Sequence, residues 1–337
     1  MPFALNPKPI AFYQTLIRRF QKARVLVVGD LMLDEFIWGD VSRISPEAPV
    51  PVVWERRHSF MPGGAANVAS NIATLGGETL LCGIVGSDVA SRQLKTLLKK
   101  RGVRLSYVMT DRRRPTTLKT RVIAQKQQLV RIDRECPDPL SGALFRQILS
   151  SVRKAIRKVD VVVLEDYGKG VVTPQLIREV AALAKKHSRI LIADPKEDHF
   201  EHYRGVTMIT PNRKEAYGAV GEKDTGRMPL QKVGQEILKR VGCKAVLITL
   251  GEDGMALFER RKNLIHIPTV AQDVFDVSGA GDTVVATFST ALAAGSTMVD
   301  AAALANVAAG IVVGKVGISA VTVRELSERI EEVLWKR

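Results

Sequence analysis

A chain of 337 residues that is 46% hydrophobic, with 50 Lys and Arg against 35 Asp and Glu, can bury a sizeable core and carries a formal net charge of +15. Three cysteines, Cys82, Cys136 and Cys243, fall at neither paired nor metal-ligand spacing, which argues against a disulfide framework and for a reducing compartment, the cytoplasm by default. The basic excess attracts anions, but its clusters, KK (99–100), DRRRP (111–115) and ERRKN (259–263), fall where turns and helix ends are expected, and no nucleic-acid-binding motif accompanies them.

In chain order, the N-terminal stretch places Lys8, Arg18, Arg19, Lys22 and Arg24 among apolar residues at helical spacing, so it lacks the apolar run and cleavage site of a secretion signal. Short β-branched runs then alternate with helix-period segments: RVLVVGD (24–30), TLLCGIVG (79–86), VDVVVLED (159–166), SRILIADP (188–195), GVTMITP (205–211) and KAVLITLG (244–251). Such runs predict a mainly parallel sheet covered by helices on both faces, an α/β/α sandwich of three layers. Two regions break the rhythm. PVPVVWE (49–55) and the trio VRLSYVMT (103–110), TTLKTRVIAQ (116–125) and QLVRID (128–133) read as half-polar strands with no helices between them. They predict a small antiparallel lid, drawn from about 35–58 and 103–134, over a cleft. Its uncovered edge predicts a homodimer through the lid. The apolar stretch AAALANVAAGIVVG (301–314) is too short to span a bilayer and reads as a buried helix. With no repeat or linker, residues 1–337 read as one domain with neither membrane nor nucleic acid as partner.

Two glycine motifs carry the chemistry. In DVSGAGDTVVATF (276–288), glycines at 279 and 281 let a backbone approach a ligand where a helix begins. The exposed amides of that first turn, with the positive end of the helix dipole behind them, make an anion site. Asp282 stands at the same helix start, placed to take a proton from an attacking hydroxyl, although capping the helix is an equally ordinary task for it. In PGGAANVASNIATLGG (62–77), paired glycines precede a helix that carries Asn67, a donor and acceptor suited to a polyol. Alone, that pattern is more often a turn.

Together, GGAANVASNIATLG with GIVGSD, and DVSGAGD, resemble the two signatures of the PfkB/ribokinase family of sugar kinases, and the spacing covers nearly the whole chain through TPNRKE (210–215) and TLGEDG (249–254). The resemblance implies a ribokinase-like fold. Within the family the chain looks most like the heptose 7-phosphate kinases of lipopolysaccharide-core precursor synthesis, on GDLMLDEFIWGDVSRISPEAPVPVV (29–53), PTTLKTRV (115–122), QQLVRID (127–133), DYGKG (166–170) and ADPK (193–196). That likeness implies transfer of the γ-phosphoryl group of ATP to the anomeric hydroxyl of D-glycero-β-D-manno-heptose 7-phosphate. A family kinase for fructose, ribose or fructose 6-phosphate is the alternative; a non-catalytic binding protein that kept the fold is disfavoured by the intact GAGD and NRKE. Many heptose kinases carry a fused nucleotidyltransferase; none of the five histidines here forms its HxGH, so a stand-alone kinase is expected.

Carried over residue by residue, the resemblance makes Asp282 the base and the amides of Gly279, Ala280 and Gly281 the anion hole. Asp34, Gly63, Gly64 and Asn67 match sugar ligands. Asn212 and Glu215 match the pair that orients ATP phosphates and hydrated Mg2+, Glu215 through water. Thr249, Gly251 and Gly254 border the nucleotide, with Asn306 near the adenine. Asp276 and Ser319, the latter in the GIS turn (317–319), are candidates for a monovalent cation such as K+.

A phosphorylated sugar needs a second anion pocket. Lys119 and Arg121 alternate along one strand and so share a face, as do Arg131 and Asp133. Lys169 and Lys196, at strand ends, are further phosphate candidates, and Asp166 a hydroxyl ligand. The plainer readings are a turn former for Asp34, a helix cap for Asn212 and a solvated lid face for the basic residues. Two positions depart from the family pattern: Ser278 stands where Thr is frequent, and Glu165 where Ser is expected, leaving open which carboxylate, Glu165 or Asp166, faces the sugar.

Overall fold

The computed structural model describes residues 8–125, 127–225, 228–271, 274–315 and 319–335. Helix α1 (Ile10–Arg18) leads into β1 (Arg24–Gly29), an apolar strand buried on both faces. The chain then leaves the main sheet for a long hairpin, β2 (Leu31–Ile44) and β3 (Pro51–Gly64), and returns through α2 (Ala65–Thr74) to β4 (Glu78–Gly86). Helix α3 (Val89–Lys100), capped by the Asp88 carboxylate on the Ser91 amide, connects to β5 (Arg104–Asp111). A second excursion, β6 (Thr117–Ala124) and β7 (Gln127–Arg134), is followed by α4 (Gly142–Ala155), β8 (Val161–Glu165), α5 (Pro174–Lys186), β9 (Ile190–Asp194) and the short β10 (Met208–Ile209). Then come α6 (Arg213–Ala219), α7 (Leu230–Val241), β11 (Ala245–Thr249), β12 (Met255–Glu259), β13 (Ile265–Ile267), α8 (Ala280–Ala293), α9 (Met298–Val313) and α10 (Val323–Trp335).

The main sheet runs β13-β12-β11-β10-β9-β8-β1-β4-β5 and is parallel except at β12 and β13. Alternation along β8 divides the core: Val161 and Val163 pack with α2, α8 and α9, whereas Val162 and Leu164 pack with α4, α5 and α7. By the same alternation Glu165 and Asp194, ending β8 and β9, turn towards α8. The winding reverses between β1 and β8, and ligands in open α/β sheets bind beyond the strand ends at such a point. The stretch 301–314 lies almost wholly in α9, whose Ala301–Ala308 run is buried; among the described residues no helix is long and apolar enough to cross a membrane.

The lid differs from its expected composition. It is a four-stranded sheet, β3-β2-β6-β7, and its central pair, β2 with β6, is parallel. The stretch 103–110, expected in the lid, is instead β5, the edge of the main sheet, parallel to β4. Its half-polar pattern came from an edge position, which one-sided cover produces as readily as a lid does. Asp34 lies within lid strand β2 rather than at the end of β1. Opposite it across the hairpin stands Met61, and beside it, on β6, Lys119.

Candidate active site

Where β1, β8 and β9 end, a cavity of about 470 Å³ is lined by Asp34, Lys119, Arg121 and Arg131 on the lid side and by Asp166, Tyr167, Asp194, Lys196 and Asp282 on the sheet side. Gly64, Asn212, Glu215, Thr249, Ser278, Gly279 and Gly281 complete much of its wall. A second cavity of about 530 Å³ is lined mainly by small and apolar residues, among them Ala309, Gly310, Val313 and Met255, with Gly251, Gly254, Ala280 and Asn306. Thr249, Gly281 and Val284 line both, so the start of α8 is the wall they share.

Gly279 begins that helix with φ +79°, a left-handed turn that favours glycine. Of the three amides expected to form an anion hole, that of Ala280 donates to Val277 O at 3.2 Å. Those of Gly279 and Gly281 have no acceptor within the described residues, at the positive end of a 14-residue helix. Asp282 follows, 6% exposed. Its carboxylate accepts from Asn67 Nδ2 at 2.7 Å and from the Tyr167 hydroxyl at 2.6 Å. Burial pushes its pKa up to about 6; the two hydrogen bonds work the other way and the charge of Asp34 adds to the rise. Asp282 therefore has side-chain partners of its own and does not cap α8 through its side chain.

Asn67 is fully buried, with its donor on Asp282 and its Oδ1 accepting from Asn71 Nδ2 at 3.0 Å, so here it orients the carboxylate and does not line the cavity. Asp34, 3% exposed, is ion-paired with Arg121. Burial raises its pKa despite the Arg121 and Lys119 charges. Gly63 explains the sequence beneath it: a Cβ there would be driven into the Asp34 carboxylate.

The sheet floor is acidic. Glu165 is wholly buried, and among the described residues neither of its oxygens has a partner. Burial, then the charges of Asp194, Asp282, Asp166 and Asp30, hold its pKa well above the usual range. Asp194 is raised likewise by burial and by Glu215, with only the Thr210 hydroxyl, at 2.8 Å, favouring its charge. Asp166 borders the cavity and Glu165 does not, and the side chains of both are buried. Asp30, raised to about 6 by burial, accepts from the amides of Tyr167, Lys169 and Val171 at 3.0, 3.1 and 3.1 Å and so holds the loop that presents Tyr167.

On the lid, Lys119 lies 2.9 Å from Asp133 and 3.3 Å from Glu135, and Arg131 lies 3.0 Å from Asp133. Lys169 is turned away from the main cavity to Glu135, at 2.7 Å, and lines a separate small recess with Asp30 and Arg114. Lys196 lines the main cavity. Asn212 and Glu215 cap α6 reciprocally, Asn212 Oδ1 accepting from the Glu215 amide at 3.0 Å and Glu215 Oε2 from the Asn212 amide at 2.9 Å, and both residues line the cavity. Asn306 Nδ2 donates to Pro268 O at 2.7 Å. Asp276 accepts from the Ser278 amide at 2.8 Å, and the buried Ser319 hydroxyl has no partner among the described residues; Gly317 and Ile318 of the GIS turn lie outside them.

Tyr167, Asp30 and Thr210 escaped the sequence reading. Tyr167 sits inside the quoted DYGKG and Asp30 inside GDLMLD, so the signal present was adjacency to a motif and nothing more specific.

Residues 22–324 match the pfkB family carbohydrate kinases. The chain is 44% identical over 313 residues to the bifunctional protein HldE of Pelobacter propionicus, covering 93% of this chain and 64% of that one. It is 40% identical over 304 residues to the bifunctional protein HldE of Helicobacter pylori, covering 90% and 65%. The chain thus spans somewhat under two thirds of the length of these relatives. Among solved structures it resembles Arabidopsis thaliana ribokinase complexed with ribose and ATP, at TM-score 0.72 and 22% identity over 92% of this chain and 98% of that one. It also resembles Escherichia coli phosphofructokinase-2 in complex with substrates and products, at TM-score 0.76 and 20% identity over 93% and 99%. These two establish the fold, a ribokinase-like α/β architecture.

Proposed function

We propose, from the premise that this chain belongs to the pfkB family of carbohydrate kinases, that it transfers the γ-phosphoryl group of ATP to the anomeric hydroxyl of D-glycero-β-D-manno-heptose 7-phosphate, giving the 1,7-bisphosphate used in lipopolysaccharide-core precursor synthesis. The likeness to HldE proteins favours this sugar over fructose, ribose or fructose 6-phosphate. The observation that carries the chemistry is the position of Asp282: a carboxylate in the first turn of α8, bordering the polar cavity, one residue from the wall shared with the apolar one.

The sugar would occupy the polar cavity with its anomeric hydroxyl at Asp282, and the nucleotide base the apolar one beside Asn306. With its pKa near 6, Asp282 is ionised at neutral pH yet more basic than an ordinary carboxylate, and Asn67 and Tyr167 fix its orientation. In a loose phosphoryl-transfer transition state the hydroxyl proton moves late, so placement outweighs basicity. The Gly279 and Gly281 amides, fixed before reaction, oppose the charge that gathers on the migrating group. Among the described residues no three His, Cys, Asp or Glu side chains stand together as a metal cluster. Mg2+, which keeps several waters and neutralises phosphate charge when bound, would be held through the nucleotide and, by water, Glu215. The orphaned Ser319 hydroxyl supports a K+ site with Asp276.

Lys119, Arg121, Arg131 and Lys196 would receive the 7-phosphate. For Lys119 and Arg131 this means exchanging a carboxylate partner, Asp133 or Glu135, for a phosphate of higher charge. Exposed Trp54, Val130 and Ile132 on the lid strands support a homodimer through the lid, and three free cysteines support the cytoplasm.

ADP release across heptose 7-phosphate, unphosphorylated heptose, ribose, fructose and fructose 6-phosphate tests the reading: the first should give the highest kcat/KM, and preference for any other would overturn it. K119A should raise the KM for the phosphorylated sugar far more than for ATP; equal effects would remove Lys119 from the phosphate end.

A further inference from the structure

We infer that Glu135 is a specificity-determining residue, the counter-charge that sets how strongly the cationic wall of the cleft prefers a phosphorylated sugar over a neutral one, an inference that rests on Lys119 receiving the sugar's phosphate. Glu135 directly follows β7 and bridges two elements. Its Oε2 lies 3.3 Å from Lys119 Nζ on lid strand β6, and its Oε1 lies 2.7 Å from Lys169 Nζ in the loop after β8. Asp133 completes the chain, 2.9 Å from Lys119 and 3.0 Å from Arg131. Three cations thus share two carboxylates, which leaves the group a net charge of +1. Lys119 borders the main cavity and Glu135 does not, so a substrate placed there meets the ammonium first and the carboxylate behind it.

An ammonium has three donors, of which Asp133 and Glu135 engage two. A phosphate arriving at Lys119 meets Glu135 as a competitor for one of these or, on the third, as a like charge one ammonium away. Either way the carboxylate opposes it. Water screens the opposition only in part, because Lys119 and Lys169 are 13% and 19% exposed and Glu135 24%. Burial works to raise the Glu135 pKa, but Lys169 and Lys119 outweigh it and hold that pKa below the usual carboxylate range, so the charge is in place at neutral pH. A neutral sugar gives Glu135 nothing to oppose. The Glu135 charge can also be removed without displacing the cations. Lys119 keeps Asp133, the nearer of its two partners. The Lys169 main chain is held independently, its amide donating to Asp30 at 3.1 Å and its carbonyl accepting from Arg114 Nη1 at 3.3 Å. Asp133, by contrast, anchors both Lys119 and Arg131, so its removal would free two cavity residues at once.

The test compares the parent with E135Q and K119A, reading ADP release against heptose 7-phosphate and heptose, against fructose 6-phosphate and fructose, and against ATP. E135Q keeps the side chain's shape and an oxygen for Lys169 and takes the group to +2. It should lower the KM for the phosphorylated sugar by roughly three- to tenfold, with the KM for the neutral sugar and for ATP within about twofold of the parent. The gain should shrink as ionic strength is raised from about 0.05 to 1 M with tetramethylammonium chloride at constant K+. E135A makes the same charge change and carries the same expectation if E135Q does not yield folded protein. The inference is overturned if the KM for the phosphorylated sugar rises or stays, which would make Glu135 a holder of the two lysines and no more, if the neutral sugar gains equally, or if the gain persists at high salt. K119A reports on the underlying reading separately. If it raises the KM for the phosphorylated sugar while E135Q does not lower it, the inference alone falls; if K119A leaves that KM unmoved, the phosphate is not at this wall and both fall. A parent that prefers the fructose pair removes the heptose assignment, and the Glu135 comparison is then read on that pair.

Discussion

On the lid, carboxylates are matched with cations; on the floor of the cleft, they are stranded. Asp133 and Glu135 lose some solvation to partial burial, but Lys119 with Arg131, and Lys169 with Lys119, outweigh that and hold both pKa values below the usual carboxylate range. Glu165, Asp194 and Asp282 lie at strand ends and a helix start with no cation paired to them among the described residues, and burial raises all three. The contrast separates two uses of charge. Paired charges near the surface are exchangeable and worth little singly, which suits the phosphate entry proposed for the lid. Stranded buried charges are costly, and they persist where a proton must be held or taken.

The contrast breaks most sharply at Asp282. Replacing it with Asn keeps the shape and the Asn67 neighbourhood but removes the proposed base, and turnover should fall by about two to four orders of magnitude, with ATP and sugar binding retained. Near-parental turnover in a steady-state assay would remove Asp282 from that role.

Gly63→Ala tests the junction of the two regions, since the added methyl meets Asp34 while leaving the second, apolar cavity untouched. Sugar KM should rise by about tenfold or more, and ATP KM should stay; a parallel rise in both would point to general misfolding instead.

The pH profile sharpens the floor's side of the comparison. In the parent, kcat/KM should climb as pH rises through about 6, as Asp282 loses its proton, and level off above. The Tyr167 hydroxyl favours the charged form, so Tyr167→Phe should move that inflection upward; a downward move would contradict the assignment.

The smallest effect is on stability. A carboxyl whose folded pKa stands above its unfolded value contributes stability that is complete below the unfolded pKa and is lost as pH rises through the folded one. For Glu165 that loss falls above the usual value of 4.5, so Glu165→Gln, which cannot ionise, should raise Tm by roughly 2–5 °C at pH 8 and by less at pH 5. An equal gain at both would mean that Glu165 is not held protonated.

Much of this molecule could be read from sequence because the signals are local. Apolar runs such as 159–166 and 244–251 report strands buried on both faces, and β8 and β11 lie inside them. The GAGD and GG motifs announce helix starts, and α8 and α2 begin there. Where a local pattern has two causes the reading failed: 103–110 looks half-polar whether it edges a main sheet or a lid, and only the pairing with β4 decides.

What the sequence determined by itself, then, was the α/β class, the family and the helix start that carries Asp282, because burial, periodicity and glycine geometry are written within a few residues of where they act. The tertiary structure decided the company each charge keeps. Asn67 reaches Asp282 across 215 residues, Tyr167 across 115, and His199 reaches Asp166 across 33. Those meetings follow from the order of strands in the sheet and the side to which each strand end turns, and side-chain partners across such distances leave no periodic trace in the chain.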